Sequence, residues 1–368
     1  MDQINKPGNR FVGVVAAIIG LLFLYGMGTG AMDKYTVTKL TERMQTVCVG
    51  RFLIDLPAGM TFSHRRVFMN GVWVSAIPES HEAFLQRIAR RETAINAQAN
   101  GAGKKSMEKV ESVSVNGFSG KIFTFGRSSV EGLEHGKTVH YVSVAMEAYV
   151  HAGNTTFTFI DEVVDPARTA FFHTILDQLR LVEPDEIPSA PGFCFGRGMF
   201  VDPVPIEWTE GVAMFAGFRE HPDLAMVFNT RAGLGKDPYD PGRLARVARD
   251  DAEQPAWQRA LTRRLRVGYR VIDGIRGEEV LHCGTELNFV NVYLFDWEVI
   301  GTKDNAFVPD MHLEMSTGHP VHAGARPVPS FLGEEALVHL WDRISSSIRV
   351  RPTCPDPQNV SCTVIVSR

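Results

Sequence analysis

Five cysteines and twelve histidines are the residues best suited to chemistry in this chain of 368 residues, and their spacing decides against most of it. Cys48, Cys194, Cys283, Cys354 and Cys362 form no CxxC pair and no Cys/His cluster at zinc-finger spacing. His135 and His140 flank a glycine-containing loop, and His319 and His322 sit on either side of Pro320. Neither pair has a carboxylate at helical spacing that would complete a metal site, so no metal ligand is expected. Gly117-Phe118-Ser119-Gly120 lacks the spacing of a nucleophile elbow. The chain contains no GxxxxGK(S/T), no GxGxxG between a strand and a helix, and no HExxH. Asp161 and Glu162 are adjacent on a strand-like run, which points them to opposite faces. These residues predict no catalytic group, no cofactor and no metal, and they favour a protein whose work is binding.

Two of the cysteines belong to a repeated phrase. Cys48-Val49-Gly50-Arg51 and Cys194-Phe195-Gly196-Arg197 each lead through an apolar run to an aspartate, Asp55 and Asp202. Recurrence inside apolar strand-like runs argues for a structural role, with the glycines marking a bulge or a close backbone approach and the aspartates a turn. Cys354 and Cys362 bracket a proline-containing loop, CPDPQNVSC. Ends so close cost little to join, so a Cys354–Cys362 disulfide is expected in an oxidising compartment.

The elements that must position these residues also recur in order, the mark of an internal duplication. After the opening phrase come Gly71-Val72-Trp73-Val74 in one half and Gly211-Val212-Ala213-Met214 in the other. A helix follows in each. Ser80 caps the first, with Phe84, Ile88 and Ile95 on one face; Asp240-Pro241 opens the second, with Leu244, Val247 and Ala248 on its apolar stripe and a break at Pro255. Arg259 to Arg266 reads as the solvated face of a helix. Val115-Asn116-Gly117-Phe118 and Ile272-Asp273-Gly274-Ile275 are matching tight hairpin turns. Two more strands follow each turn, and each copy closes with a long amphipathic helix. The first is capped by Asp165-Pro166 and carries Phe172, Ile175, Leu176 and Leu179; the second carries Leu337, Leu340, Trp341, Ile344 and Ile348. Hairpins with packed helices predict an α+β fold of two tandem domains, each a mainly antiparallel sheet. They span residues 46–182 and 192–352, joined by a linker at 183–191 and followed by a tail at 353–368.

Residues 1–32 are a different material. An uncharged run at residues 11–32 follows Lys6 and Arg10 and is long enough to cross a bilayer as a helix. It reads as a signal anchor, or as a cleaved signal peptide if the small residues Thr29-Gly30-Ala31 are a cleavage site. Either places the remainder in the periplasm, and an anchor would hold it at the inner membrane. A net charge of −4 and a pI of about 6.3 argue against a nucleic-acid partner.

The stretches Cys48-Val-Gly-Arg-Phe-Leu-Ile-Asp-Leu-Pro57 and Cys194-Phe-Gly-Arg-Gly-Met-Phe-Val-Asp202 carry a resemblance, strengthened by Val212-Ala-Met-Phe-Ala-Gly-Phe218 and the turn ending at Gly277. From about Thr46 to Pro352 the chain resembles the immunity proteins for the fourth class of type VI secretion lipase effectors. The resemblance implies a periplasmic inhibitor without catalysis. Its two α+β domains would grip a cognate lipase (a phospholipase effector) like pincers and block its lid. Linked modules would also gain affinity from effective concentration. The alternatives are an exported envelope hydrolase, marked by a deep polar pocket, and a lipid- or substrate-binding envelope protein, marked by a large apolar cavity. Residues 126–137 and 301–310 are the candidate contact loops, at places expected to match in the two copies.

Overall fold

The computed structural model describes residues 34–353 apart from 206, 234–238, 304, 321 and 323. A short helix at residues 34–40 leads into β1 (Met44–Val49), β2 (Phe52–Pro57), β3 (Met60–Met69), β4 (Val72–Pro78), α1 (His81–Asn96) and β5 (Met107–Val115). Then follow β6 (Phe118–Glu134), β7 (Lys137–Ala152), β8 (Thr155–Val164), α2 (Phe171–Gln178) and β9 (Leu179–Leu181). The second half repeats the order: β10 (Gly192–Phe195), β11 (Gly198–Val201), β12 (Glu210–Phe218), β13 (Ala225–Ala232), α3 (Arg243–Glu253), α4 (Ala256–Ala260) and β14 (Thr262–Ile272). It ends with β15 (Ile275–Thr285), β16 (Asn291–Val299), β17 (Asp310–Ser316), α5 (Glu334–Ser345) and β18 (Arg349–Val350).

Expected as one sheet per half, the strands instead join into a single antiparallel sheet of 12, ordered β14-β15-β16-β17-β13-β12-β3-β4-β8-β7-β6-β5. The order is palindromic. Each strand of the first half has its counterpart at the mirrored place, and the halves meet where β3 pairs with β12. The duplication read from the sequence is thus a pseudo-twofold axis through that seam. Period-two alternation gives the sheet two faces. One is the core face, where Val72, Val74, Met214, Phe228, Phe295 and Trp297 pack with Phe172 and Ile175 of α2 and Leu340 and Trp341 of α5. On the other, α1 covers one flank through Phe84, Ile88 and Ile95 against Phe123, Phe125 and Tyr149. The second flank is covered by α3, which reaches β15 and β16 through Leu244 N–H to Glu278 (2.7 Å) and through Arg243 to Asp296. Among the described residues no helix covers the central strands between α1 and α3.

The opening phrases, expected as single strands, are hairpins. β1 and β2 turn at Gly50-Arg51, β10 and β11 at Gly196-Arg197. Gly50 has φ +63°, and a Cβ there would meet Thr230 Oγ1 at 2.7 Å, so the close approach read from the sequence is real. Each hairpin receives its third strand from the other half: β18 pairs with β2, and β9 with β11. Between them Gly50 and Cys194 exchange backbone bonds of 2.8 and 2.9 Å, and a disulfide joins Cys48 to Cys194. Arg51, 7% exposed, donates to Glu210 (2.7 and 3.0 Å) and Asp202 (2.8 and 3.0 Å). Burial works to lower the Arg51 pKa, but bonds and charges from the two carboxylates outweigh it and raise it. The segment at 183–191 is no free tether either. The guanidinium of Arg351, itself 2% exposed, donates to the carbonyls of Pro188, Ala190 (2.8 Å) and Gly192 (2.7 Å). The halves are therefore joined by a shared sheet, by exchanged strands and by a disulfide as well as by the connecting segment.

Other local expectations shift with tertiary context. The helix expected at Asp240-Pro241 starts at Arg243 after Gly242; Asp240 instead accepts from Gly242 N–H at 2.9 Å. Arg263, Arg264 and Arg266 lie on the strand β14, not a helix, because Glu334, Asp251, Glu279 and Asp342 neutralise them there. The closing helix of the first copy is only 8 residues, since Asp165-Pro166 caps a short 3-10 turn ahead of it. Gly71 opens β4 whereas Gly211 lies in β12, whose symmetry counterpart is β3, so those two phrases are not equivalents. The hairpin turns hold: Asn116, Gly117, Asp273 and Gly274 all have positive φ (51°, 80°, 47° and 78°). Residues 11–32 and the Cys354–Cys362 pair lie outside the described residues; among the described residues no helix is long and apolar enough to cross a membrane.

His64 sits at the seam and gives a pH prediction. It is half-buried on β3 with Nε2 2.8 Å from the Cys48 carbonyl, and burial pushes its pKa down to about 4 in spite of that bond. The unfolded chain takes up this proton near pH 6.5, so the stability is present above 6.5 and is lost as pH falls through 4. The loss should reach about 2 kcal/mol after discounting for solvent at a half-buried ring. Denaturant unfolding between pH 7 and 4 should show this loss in the natural chain, while His64→Gln, which keeps a donor to Cys48, shows a flatter profile.

Candidate functional site

The open face at the centre of the sheet forms a groove of about 860 Å3 across the seam between the two halves. From the first half β3 and β4 supply Arg66, Phe68 and Trp73; from the second, β13, β16 and β17 supply Asn229, Arg231, Glu298, Asp310 and His312. Alternation explains Trp73. Its neighbours Val72 and Val74 are buried in the core, so the indole between them must face out, and it is 54% exposed. The Phe68 and Trp73 rings lie 5.5 Å apart at 54°, a continuous aromatic shelf along one wall.

The opposite wall is ionic. Asp296, buried, accepts from Arg243 and from His312 Nε2 at 3.0 Å, while Glu298 pairs with Arg246. Burial lowers the His312 pKa, but the Asp296 hydrogen bond and the charges of Asp296, Glu298 and Glu314 outweigh it, so the imidazole is raised. Asp296, Glu298 and His312 bring ligand atoms within 4.8 Å of one another, a spacing a metal ion could use. Two arginines already pair with the two carboxylates, and His312 Nε2 is itself engaged by Asp296. The cluster is better explained as an ion-pair network that fixes α3 to the sheet. The ionic wall also distinguishes this groove from the wholly apolar cavity expected of a lipid-binding protein.

The two segments expected from the sequence as contact loops take different forms in the structure. Residues 126–137 are not a loop: they belong to a hairpin arm in which Ser128 to Glu134 of β6 pair with Lys137 to Ser143 of β7. β5 stops pairing at Phe125 and β8 at Val144, so beyond these residues the arm pairs with no further strand among the described residues. Residues 300–309 do form a loop, between β16 and β17, and its Phe307 ring lies 5.6 Å from the Arg51 guanidinium. The two are not symmetry-matched, because the arm joins β6 to β7, whose counterparts are β15 and β16. Register nevertheless puts both at the same end of the sheet as Trp73. His135 lies in the turn of the arm, His140 pairs loosely with Glu131 (3.6 Å), and His319 Nε2 lies 2.8 Å from Ser316 Oγ; the structure does not bring them together. Sequence reasoning missed Arg66, Phe68, Trp73 and the Asp296–Glu298–His312 cluster. Only Trp73 left a signal, a large aromatic at the outward phase of an alternating strand.

Comparison with known proteins agrees with this architecture. Residues 45–170 match the model of the Tle cognate immunity protein 4 N-terminal domain, and residues 186–353 that of the Tle cognate immunity protein 4 C-terminal domain. No curated protein matches the chain. Among solved structures, the Tle4-Tli4 complex is similar with TM-score 0.69 and 23% identity, over 84% of this chain and 98% of the other. The T6SS immunity protein TplEi from Pseudomonas aeruginosa, complexed with "L" peptide, aligns with TM-score 0.65 and 22% identity, over 84% of this chain and 99% of that one. Its apo structure aligns equally well, at TM-score 0.65.

Proposed function

The chain belongs to the Tle cognate immunity protein 4 family, and from that premise we propose that it neutralises one cognate type VI secreted lipase by seating part of it in the groove across the seam. It is a binding protein and not an enzyme. Family membership across both halves is the observation that carries this reading. The groove gives it a place: an aromatic shelf from one half faces a charged wall from the other, on one continuous sheet. A rigid concave surface suits an inhibitor, because binding then costs little ordering of its own chain. Occupying the lid region of the lipase would block the movement it needs to reach lipid. On this reading residues 46–182 and 192–352 are the two domains and 183–191 the connection. The protein works in the periplasm, where a Cys48–Cys194 disulfide can form, and residues 11–32 hold it at the inner membrane.

The test is calorimetric titration with the lipase encoded beside this chain, together with survival of cells exporting that lipase into their own periplasm. The natural chain should bind and protect. Trp73→Ala should fold normally, since the indole is solvent-facing, yet weaken binding by roughly 2 kcal/mol, about thirtyfold, as for a central aromatic anchor. A natural chain that neither binds nor protects refutes the function; unchanged affinity in Trp73→Ala moves the interface elsewhere.

A further inference from the structure

Arg66 occupies a backbone conformation that a side chain normally avoids. Its φ is +52°, inside a strand, at a β-bulge where Arg66 and Val67 together oppose Val212 of β12. The left-handed region at a bulge is the usual place of glycine, and a long side chain is uncommon there. Bulges turn side chains towards sites, and here Arg66 is exposed and lines the groove together with Phe68 and Trp73. Arg65, next to it, is exposed on the same open face opposite Ala213. Among the described residues neither arginine has a carboxylate partner, whereas Arg231 is already held by Asp310 at 3.6 Å and Arg243 and Arg246 by Asp296 and Glu298. Among the described residues lining the groove the acids are thus paired and Arg66 is a cation without a carboxylate partner, next to the aromatic shelf.

We infer that Arg66 is a specificity-determining residue that receives a carboxylate of the partner, so that the segment entering the groove is apolar with an acidic residue beside it. This rests on the proposed function, and the charge and the strained backbone identify the kind of segment. A guanidinium in such a shelf binds carboxylate in two parallel hydrogen bonds, which no lysine reproduces.

Binding of the cognate lipase should be measured by interferometry at low and high salt for Arg66→Gly, Arg66→Lys, Arg66→Gln and the natural chain, each with its melting temperature. Arg66→Gly relieves the positive φ, so it should melt at or above the natural chain while binding about tenfold or more weakly, with shallower salt dependence. Arg66→Lys should recover only part of the affinity, and Arg66→Gln little. Replacing the matching acid of the lipase by its amide should cost the natural chain the same factor and leave Arg66→Gly unaffected. Arg66→Gly or Arg66→Gln binding within twofold of the natural chain overturns the assignment while leaving the immunity function standing. A natural chain that fails to bind the lipase overturns both.

Discussion

Replacing Cys48 and Cys194 together by alanine should destabilise the protein by about 4 kcal/mol. The bridge closes a loop with a sequence separation of 146 residues. Chain-entropy arguments give about 5 kcal/mol for a loop of that size, and measured native bridges fall mostly between about 2 and 5. Context favours the upper part of that range. The bridge ties the β1–β2 hairpin to the β10–β11 hairpin, each of which completes its small sheet with a strand from the opposite half. Denaturant unfolding of the double variant, and of the natural chain with and without reductant, measures the effect. The reduced natural chain and the variant should coincide, and both should unfold at lower denaturant. A variant within 1 kcal/mol of the oxidised natural chain would mean that strand exchange alone fixes the halves.

Arg51→Ala should be comparably severe, about 3–5 kcal/mol at neutral pH, because it strands a charge instead of merely deleting a contact. Glu210 is 4% exposed and its carboxylate is bound on two sides by the Arg51 guanidinium. Burial already pushes the Glu210 pKa up against the pull of Arg51; without the arginine it rises further. The sign of the pH dependence follows. An acid whose folded pKa is raised contributes stability below its unfolded pKa, and that stability is lost as pH rises through the folded value. The deficit of Arg51→Ala against the natural chain should therefore be smallest near pH 4 and grow towards pH 7. Adding Glu210→Gln should recover a large part of the loss at pH 7, since an amide is cheaper to bury than a carboxylate. Equal deficits at both pH values, or no recovery in the double variant, would show that packing around Phe307 and not charge dominates.

Sequence by itself determined the duplication and most of its parts. Asn116-Gly117 and Asp273-Gly274 fixed two tight turns, because few residues tolerate positive φ at adjacent positions. Ser80 capped α1, accepting from Ala83 N–H, and Phe84, Ile88 and Ile95 went inside, because period and capping are local physics. The repeated Cys-x-Gly-Arg phrases also carried the family. What the phrases do was decided by tertiary structure. Nothing local to Cys48 says that its partner is Cys194, or that Arg51 meets Asp202 and Glu210, since those contacts span more than a hundred residues. The same holds for the single sheet of 12 strands: β3 and β12 each alternate correctly, but only the closed palindrome says that they pair. Arginines at 263, 264 and 266 read as a solvated helix face until the acids that neutralise them on β14 are brought alongside. The groove escaped the sequence for the same reason, since Trp73, Arg66 and His312 become neighbours only when two halves with separate local codes share one face.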